Sequence, residues 1–275
     1  MKTHSNLRSH QAFTLVELLV VTAVIATLAG LVTAAAQAAR SSADKAKEIN
    51  AARQLTTAYI LASSENNGVF LAGYDRTVTD LEWPDGTSVH GPAANRYPFR
   101  LAPYFNYQME GTILVNRNTT QIKLEDTYSV SCYPAFGINY MYVGGDKAAN
   151  GSITNPDEVT TRSAQGANVL IFASSGSSVA GGGEPVNGYS ILTPPKIYGD
   201  MWVSGSWQNG GKPENFGHIH PRHGGKAVCA FLDGSVQMLS IEELRDMQRW
   251  NLNAAAAKDP NYTVAAAPSP RPGRR

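Results

Sequence analysis

The 275-residue sequence predicts an α+β fold, with one long N-terminal helix packed on a loop-rich antiparallel β domain. Three observations carry this reading. No charged residue occurs from Leu18 to Ala39, and neither Gly nor Pro follows until Gly68. Gly 25 and Pro 15, with many Ser, Thr and Asn, mark the remainder as rich in turns and short strands. Near the C-terminus, Asp233-Gly234 stands between two apolar runs, the strongest short-range signal of a β-hairpin.

In chain order, residues 1–12 hold Lys2, His4, Arg8 and His10 and no acid, a basic leader that keeps the start of the chain cytoplasmic. The apolar run that follows is long enough to cross about 30 Å of hydrocarbon at about 1.5 Å per residue. Residues 40–64 then use Ala, Lys, Glu, Gln and Leu, which are good helix formers. Ile49, Ala52, Leu55, Thr56, Tyr59 and Ile60 recur at three- and four-residue steps as one apolar stripe, with Arg40, Asp44, Lys47, Glu48 and Arg53 at other positions. One helix over 13–63 follows, roughly 75 Å long. Its membrane part is 13–39, and Glu65-Asn66-Asn67-Gly68 is its stop.

A globular β-rich domain is expected over 64–253. Its aromatics Phe70, Tyr74, Trp83, Tyr97, Phe99, Tyr104, Phe105 and Tyr107 read as core anchors rather than as a carbohydrate-binding surface. A short helix is expected near 98–106. Strands are expected over 111–116, 121–124, 128–133, 138–143 and 168–175, the last one buried. Residues 176–188 read as an exposed Gly/Ser loop. Lys226 to Leu232 and Ser235 to Leu239 form the hairpin, through a type I′ turn at Asp233-Gly234. Ser240 caps a short helix with Glu243 three residues on. The Ala- and Pro-rich stretch 254–275 reads as a disordered tail.

A formal charge of +1 argues against a general nucleic-acid binder, so no nucleic acid is expected as a partner. Cys132 and Cys229 read either as one disulfide or as two buried thiols. His218, His220 and His223 form a local H-x-H-x-x-H cluster. It is a weak candidate for zinc, lacking the helical i,i+4 frame of a metalloprotease. No catalytic constellation emerges, so the chain reads as a non-enzyme.

The residue that organises the N-terminus is Glu17. A carboxylate inside an apolar run is costly in hydrocarbon unless a positive partner meets it. Ala12-Phe13-Thr14-Leu15-Val16-Glu17, followed by the apolar run, resembles the cleavage and methylation site of type IV prepilins and type II secretion pseudopilins. The resemblance implies a pilin-like fold, cutting between Ala12 and Phe13 by a prepilin peptidase, and methylation of the Phe13 amine. It also implies pairing of Glu17 with the N-terminal amine of a neighbouring subunit. Ala12 stands where most of the family has Gly, the mildest replacement. Leu15, Leu18, Val21, Ile25 and Leu28 would pack between subunits. Calcium enters only as a further implication of the resemblance: Asp75, Asp80, Glu82 and Asp85 could supply oxygens to it, with no spacing that specifies a site.

A second resemblance lies near the C-terminus. Arg222-His223-Gly224-Gly225, with nine residues between His223 and Asp233-Gly234, looks like the H-x9-DG signature of one branch of prepilin-like proteins. Phe136-Gly137-Ile138-Asn139-Tyr140 resembles a segment common in that branch. Here Ser235 replaces the His that usually follows the DG pair. The role of His223 is expected to be structural, a hydrogen bond to a loop carbonyl or an Asp.

The resulting expectation is a structural subunit held in the bacterial inner membrane by a single pass, with its C-terminal domain in the periplasm. Other pilin-like subunits are its partners in a type II secretion pseudopilus or a type IV pilus-like fibre. Two alternatives stay open. One is a membrane-tethered binding module holding a ligand or metal near the His218/His220/His223 cluster. The other is a secreted enzyme released after Ala36.

Overall fold

A computed structural model describes residues 14–153, 168–178 and 185–264. Ala12 and Phe13, and the end of the tail at 265–275, lie outside the described residues. The chain divides into two compact units, Met1–Asp44 and Lys45–Arg275. Helix α1, Leu15–Glu65, contributes to both.

In the first unit, α1 carries apolar side chains on all sides. Leu15 is 80% exposed, and Val16, Leu18, Val21, Ile25, Leu28 and Val32 are exposed as well. Among the described residues this is the one helix long and apolar enough to cross a membrane. Apolar residues around the whole circumference need an apolar surround or neighbouring helices.

The second unit begins inside α1. Glu48, Ala51, Ala52, Leu55, Thr56, Ala58, Tyr59, Ala62 and Ser63 are its buried residues. Ile49 and Ile60, expected on the buried stripe, are only half-buried, while Glu48, expected off it, is buried. The helix ends where Asn67 enters the left-handed region at φ 53° and the Gly68 amide donates to the Ser63 carbonyl at 2.8 Å. That is the six-to-one bond of a Schellman stop, with Asn rather than Gly in the strained position.

Beyond α1 come β1 (Tyr74–Asp75), β2 (Asp80–Glu82), β3 (Ser88–His90), α2 (Pro92–Asn95) and α3 (Tyr97–Leu101), the last running into a 3₁₀ turn over Ala102–Phe105. The short helix expected near 98–106 is this pair. Next follow α4 (Asn118–Gln121), α5 (Thr127–Cys132), β4 (Phe136–Ile138), β5 (Asp146–Lys147) and β6 (Leu170–Ser174). The chain closes with β7 (Lys226–Phe231), β8 (Val236–Ser240), α6 (Ile241–Leu244) and α7 (Leu252–Ala257). The fold is α+β, as the sequence predicts.

The central sheet is antiparallel in the order β4-β6-β7-β8, with Phe136 opposite Ser174, Ala173 opposite Cys229 and Ala230 opposite Val236. Both of its faces are covered. Val228, Ala230 and Leu232 join the core that contains Leu55, Tyr59 and Phe172 from the other elements. Ala227, Cys229 and Phe231 point the other way, into a core with Leu244, Met247 and Trp250. Burial on both faces explains why β6 and β7 read as continuous apolar runs instead of alternating ones. The Tyr59 ring packs edge-on against Phe172 at 5.6 Å and stacks on Phe70 at 5.7 Å. Burying each such large side chain contributes about 1.5–3 kcal/mol.

Several expected elements differ. The strand expected over 128–133 is instead helix α5 (Thr127–Cys132) with Tyr133 as its C-cap, because the Asp126 side chain accepts from the Ser129 amide at 3.0 Å and caps the start. Residues 111–116 are turns in which the Thr112, Ile113 and Leu114 amides donate to the Met109 carbonyl, and of 121–124 the first residue ends α4 and the rest form no strand. The strand expected over 138–143 stops at Ile138. The hairpin turn is not type I′: Gly234 has φ 85°, whereas Asp233 is not in the positive region. The Gly234 amide donates to the Phe231 carbonyl at 2.9 Å and the Phe231 amide to Ser235 at 3.0 Å, a three-residue loop with a left-handed glycine. The tail is also ordered further than expected. Ala254 is fully buried in α7, and the Val264 amide donates to Ile197 at 2.8 Å.

Candidate functional site

At the start of α1, Thr14 and Glu17 form a reciprocal cap. The Thr14 amide and hydroxyl donate to Glu17 Oε2 at 2.9 and 2.8 Å, and the Glu17 amide donates to Thr14 Oγ1 at 3.2 Å. This is a capping box, and its signal was present in the sequence as Thr-x-x-Glu before an apolar run. The first turn of the helix therefore places a carboxylate among exposed apolar side chains, with Leu15 and Leu18 beside it.

The second unit contains a buried ionic cluster that sequence reasoning missed. Glu48 is 1% exposed. Its Oε1 accepts from Arg222 Nε at 3.1 Å and from the Ser174 hydroxyl, and His223 Nε2 lies 2.9 Å from Oε2. Arg222 continues outward, donating through Nη2 to the Ala135 carbonyl at 2.8 Å and through Nη1 to Asn187 at 3.2 Å. Ser174 Oγ in turn accepts the Val228 amide at 2.8 Å. One carboxylate thus joins α1, β6 and the turn before β7.

Burial disfavours the charged form of Glu48. The Arg222 guanidinium outweighs it, aided by hydrogen bonds from His223 and Ser174, and holds the carboxyl at about 2. An ionised carboxylate only accepts, so His223 Nε2 carries the proton in this pair. The expectation that His223 bonds a loop carbonyl or an Asp is replaced by Glu48. The spacing that would have exposed it is visible: 48, 52, 55, 59 and 62 follow the steps of one helix face.

The three histidines do not converge. His218 stacks on Tyr189, with ring centroids 3.7 Å apart, and its Nδ1 lies 3.1 Å from the Gly176 carbonyl. His220 lies 5.8 Å from the Trp207 ring, and burial, then Arg222, push it down to about 4. His223 belongs to Glu48. Among the described residues, no group of three or more His, Cys, Asp or Glu side chains is placed to hold a metal ion. The acids weighed for calcium are also dispersed, with Asp75 held by Thr77 and Lys147 and Asp80 by Thr79 and His90. Cys132 and Cys229 are buried free thiols.

Ser174 and His223 are not hydrogen-bonded to each other, because the carboxylate sits between them. That order differs from the hydroxyl–imidazole–carboxylate relay of a nucleophilic triad. In the 136–140 segment, Asn139 is fully buried and donates through Nδ2 to the Leu170 and Trp250 carbonyls, both at 3.0 Å. Gly137 leaves no room for a Cβ, which would lie 2.5 Å from Leu192 Cδ2.

The family model described as a prokaryotic N-terminal methylation motif matches residues 7–33. Neither a search of curated proteins nor one of solved structures returns a match.

Proposed function

The chain bears the type IV prepilin-like signature at its N-terminus, and from that premise we propose that it is a structural subunit of a type II secretion pseudopilus or a type IV pilus-like fibre. The carrying observation is the coincidence of the matched motif with a helix whose apolar side chains face outward on all sides from Leu15 onward. Prepilin peptidase cuts between Ala12 and Phe13 and the Phe13 amine is methylated. The inner membrane holds the subunit until α1 leaves lipid for the same segment of its neighbours. There Glu17 meets the Phe13 ammonium of the adjacent subunit. In a low-dielectric surround such a pair is strong, and a missing partner is costly.

The Thr14 cap supports this reading, since it holds the Glu17 carboxylate against the first turn of the helix, beside the chain start that a neighbouring subunit would have to meet. The periplasmic domain has a structural part in this scheme. His223 and Arg222 fasten the second half of α1 to the sheet through Glu48, so that load carried by the helix reaches the domain. This also gives the H-x9-DG pattern a physical reason. The Asp233-Gly234 turn returns β8 beside β7, and β7 begins just after the histidine that holds Glu48.

Intact mass and N-terminal sequencing of the protein from membranes test the proposal. The expected result is a chain beginning at N-methylated Phe13. A chain beginning at Gln37 overturns it in favour of a secreted protein. An uncut Met1 at normal abundance overturns it in favour of a tethered binding module.

A further inference from the structure

A second surface of the Lys45–Val264 region has a composition that packing does not account for. Strand β1 sets Tyr74 opposite Asp146 and bridges it to Arg96. The Arg76 guanidinium lies over the Tyr74 ring at 4.8 Å. That of Arg96 lies 5.9 Å from Tyr74 and 5.0 Å from Tyr128. Tyr133 and Tyr189 adjoin them: burial raises both phenols, and the Arg96 charge pulls each back. Tyr128 is 55% exposed, and Tyr74, Arg96, Tyr133 and Tyr189 are half-buried. The aromatic set expected to serve only as core therefore divides. Tyr97, Phe99 and Phe70 are buried, while Tyr74 faces this surface.

The two arginines differ in their pairing. Arg76 donates to Asp146 Oδ1 at 2.5 Å. Arg96 has no carboxylate within 4 Å among the described residues. Its Nη1 donates to the Pro92 carbonyl at 3.2 Å and to Ser131 Oγ at 3.1 Å, leaving Nε and Nη2 without a hydrogen-bond partner among the described residues. An unpaired guanidinium fork matches one carboxylate. Tyrosine offers a flat apolar face with a polar tip, suited to a ring that is apolar on its faces and hydroxylated at its edge. A nucleic acid would need several unpaired cations along its phosphates, and this face offers one.

We propose that the Tyr74/Arg96/Tyr128 face binds an acidic glycan, with a uronate ring stacked on tyrosine and its carboxylate held by Arg96. The face does not depend on polymerisation, so its test is separate from that of the assembly role. The experiment is calorimetric titration of the full chain in detergent micelles with oligogalacturonate, with a neutral cello-oligosaccharide and oligo(dT) as comparisons. Saturable binding of oligogalacturonate alone is expected. Arg96→Gln is expected to weaken it about tenfold or more, as loss of a charge-assisted bidentate contact does. Tyr128→Ala, a change at an exposed side chain that leaves the fold intact, is expected to weaken it severalfold. Absence of oligogalacturonate binding, equal binding of the neutral oligomer, preference for oligo(dT), or unchanged affinity in Tyr128→Ala each overturns the proposal.

Discussion

His223 Nε2 lies 2.9 Å from Glu48 Oε2, across 175 residues of sequence, and this contact ties the long helix to the start of the last hairpin. Arg222 and Ser174 complete the shell. Removing one partner of a buried pair leaves the other charge uncompensated, so Glu48→Gln is expected to destabilise the domain by about 3 kcal/mol or more. Replacing both charges with apolar groups, Glu48→Leu with Arg222→Met, is expected to cost less than the sum of the single changes. Denaturant midpoints of the four proteins measure this coupling, and strict additivity would refute it.

Acid is expected to weaken the same region. Glu48 falls from 4.5 to about 2 on folding, so its stabilisation is complete above 4.5 and is lost as pH drops toward 2. His220 falls from 6.5 to about 4 through burial and the nearby Arg222. The unfolded chain therefore takes up that proton first, and stability declines as pH falls from 6.5 toward 4. Both groups act in one direction. Unfolding midpoints measured from pH 7.5 down to 3 should fall from about 6.5 and more steeply below about 4.5; a rise on acidification from 7 to 5 would contradict this.

Asn139 tests the inner support of the 136–140 segment. Its amide satisfies two buried carbonyls, those of Leu170 and Trp250. Asn139→Ala strands both acceptors and is expected to cost about 1–3 kcal/mol. A parallel loss of the near-ultraviolet signal of Trp250 is expected, and an unchanged midpoint would show that water replaces the amide.

The thiols give a simple chemical readout. Cys229 is fully buried, burial raises its pKa, and Cys132 is buried as well. An alkylating reagent should leave the folded chain unmodified and add two groups per chain after unfolding, without prior reduction. Two groups appearing only after reduction would show a disulfide instead.

Glu17→Ala is expected to leave membrane insertion and cutting intact and to abolish assembly into fibres. Fractionation and electron microscopy of the surface material check it. Normal fibres from the variant would remove Glu17 from the assembly contact.

Much of this protein was legible in local residue order. An uncharged run flanked by a basic leader and carrying one acid specified the N-terminal segment, because hydrocarbon tolerates few other patterns. The apolar runs of β6 and β7, Gly234 in the turn and the Ser240–Glu243 cap were equally local, since turn and cap chemistry acts within four residues. Where cap and strand signals competed, at 128–133, the Asp126 cap won and a helix formed.

What sequence alone determined is therefore the long apolar N-terminal helix, the methylation-type motif at its start, and three of the four strands of the central sheet, β6, β7 and β8. Only the tertiary structure decided that Glu48 is buried rather than solvated, that the three neighbouring histidines take three different partners, and that Tyr74 and Arg96 share an exposed face. The reason is physical. A side chain's burial and charge partner depend on residues brought together from far along the chain, and no local pattern encodes the distance between Glu48 and His223.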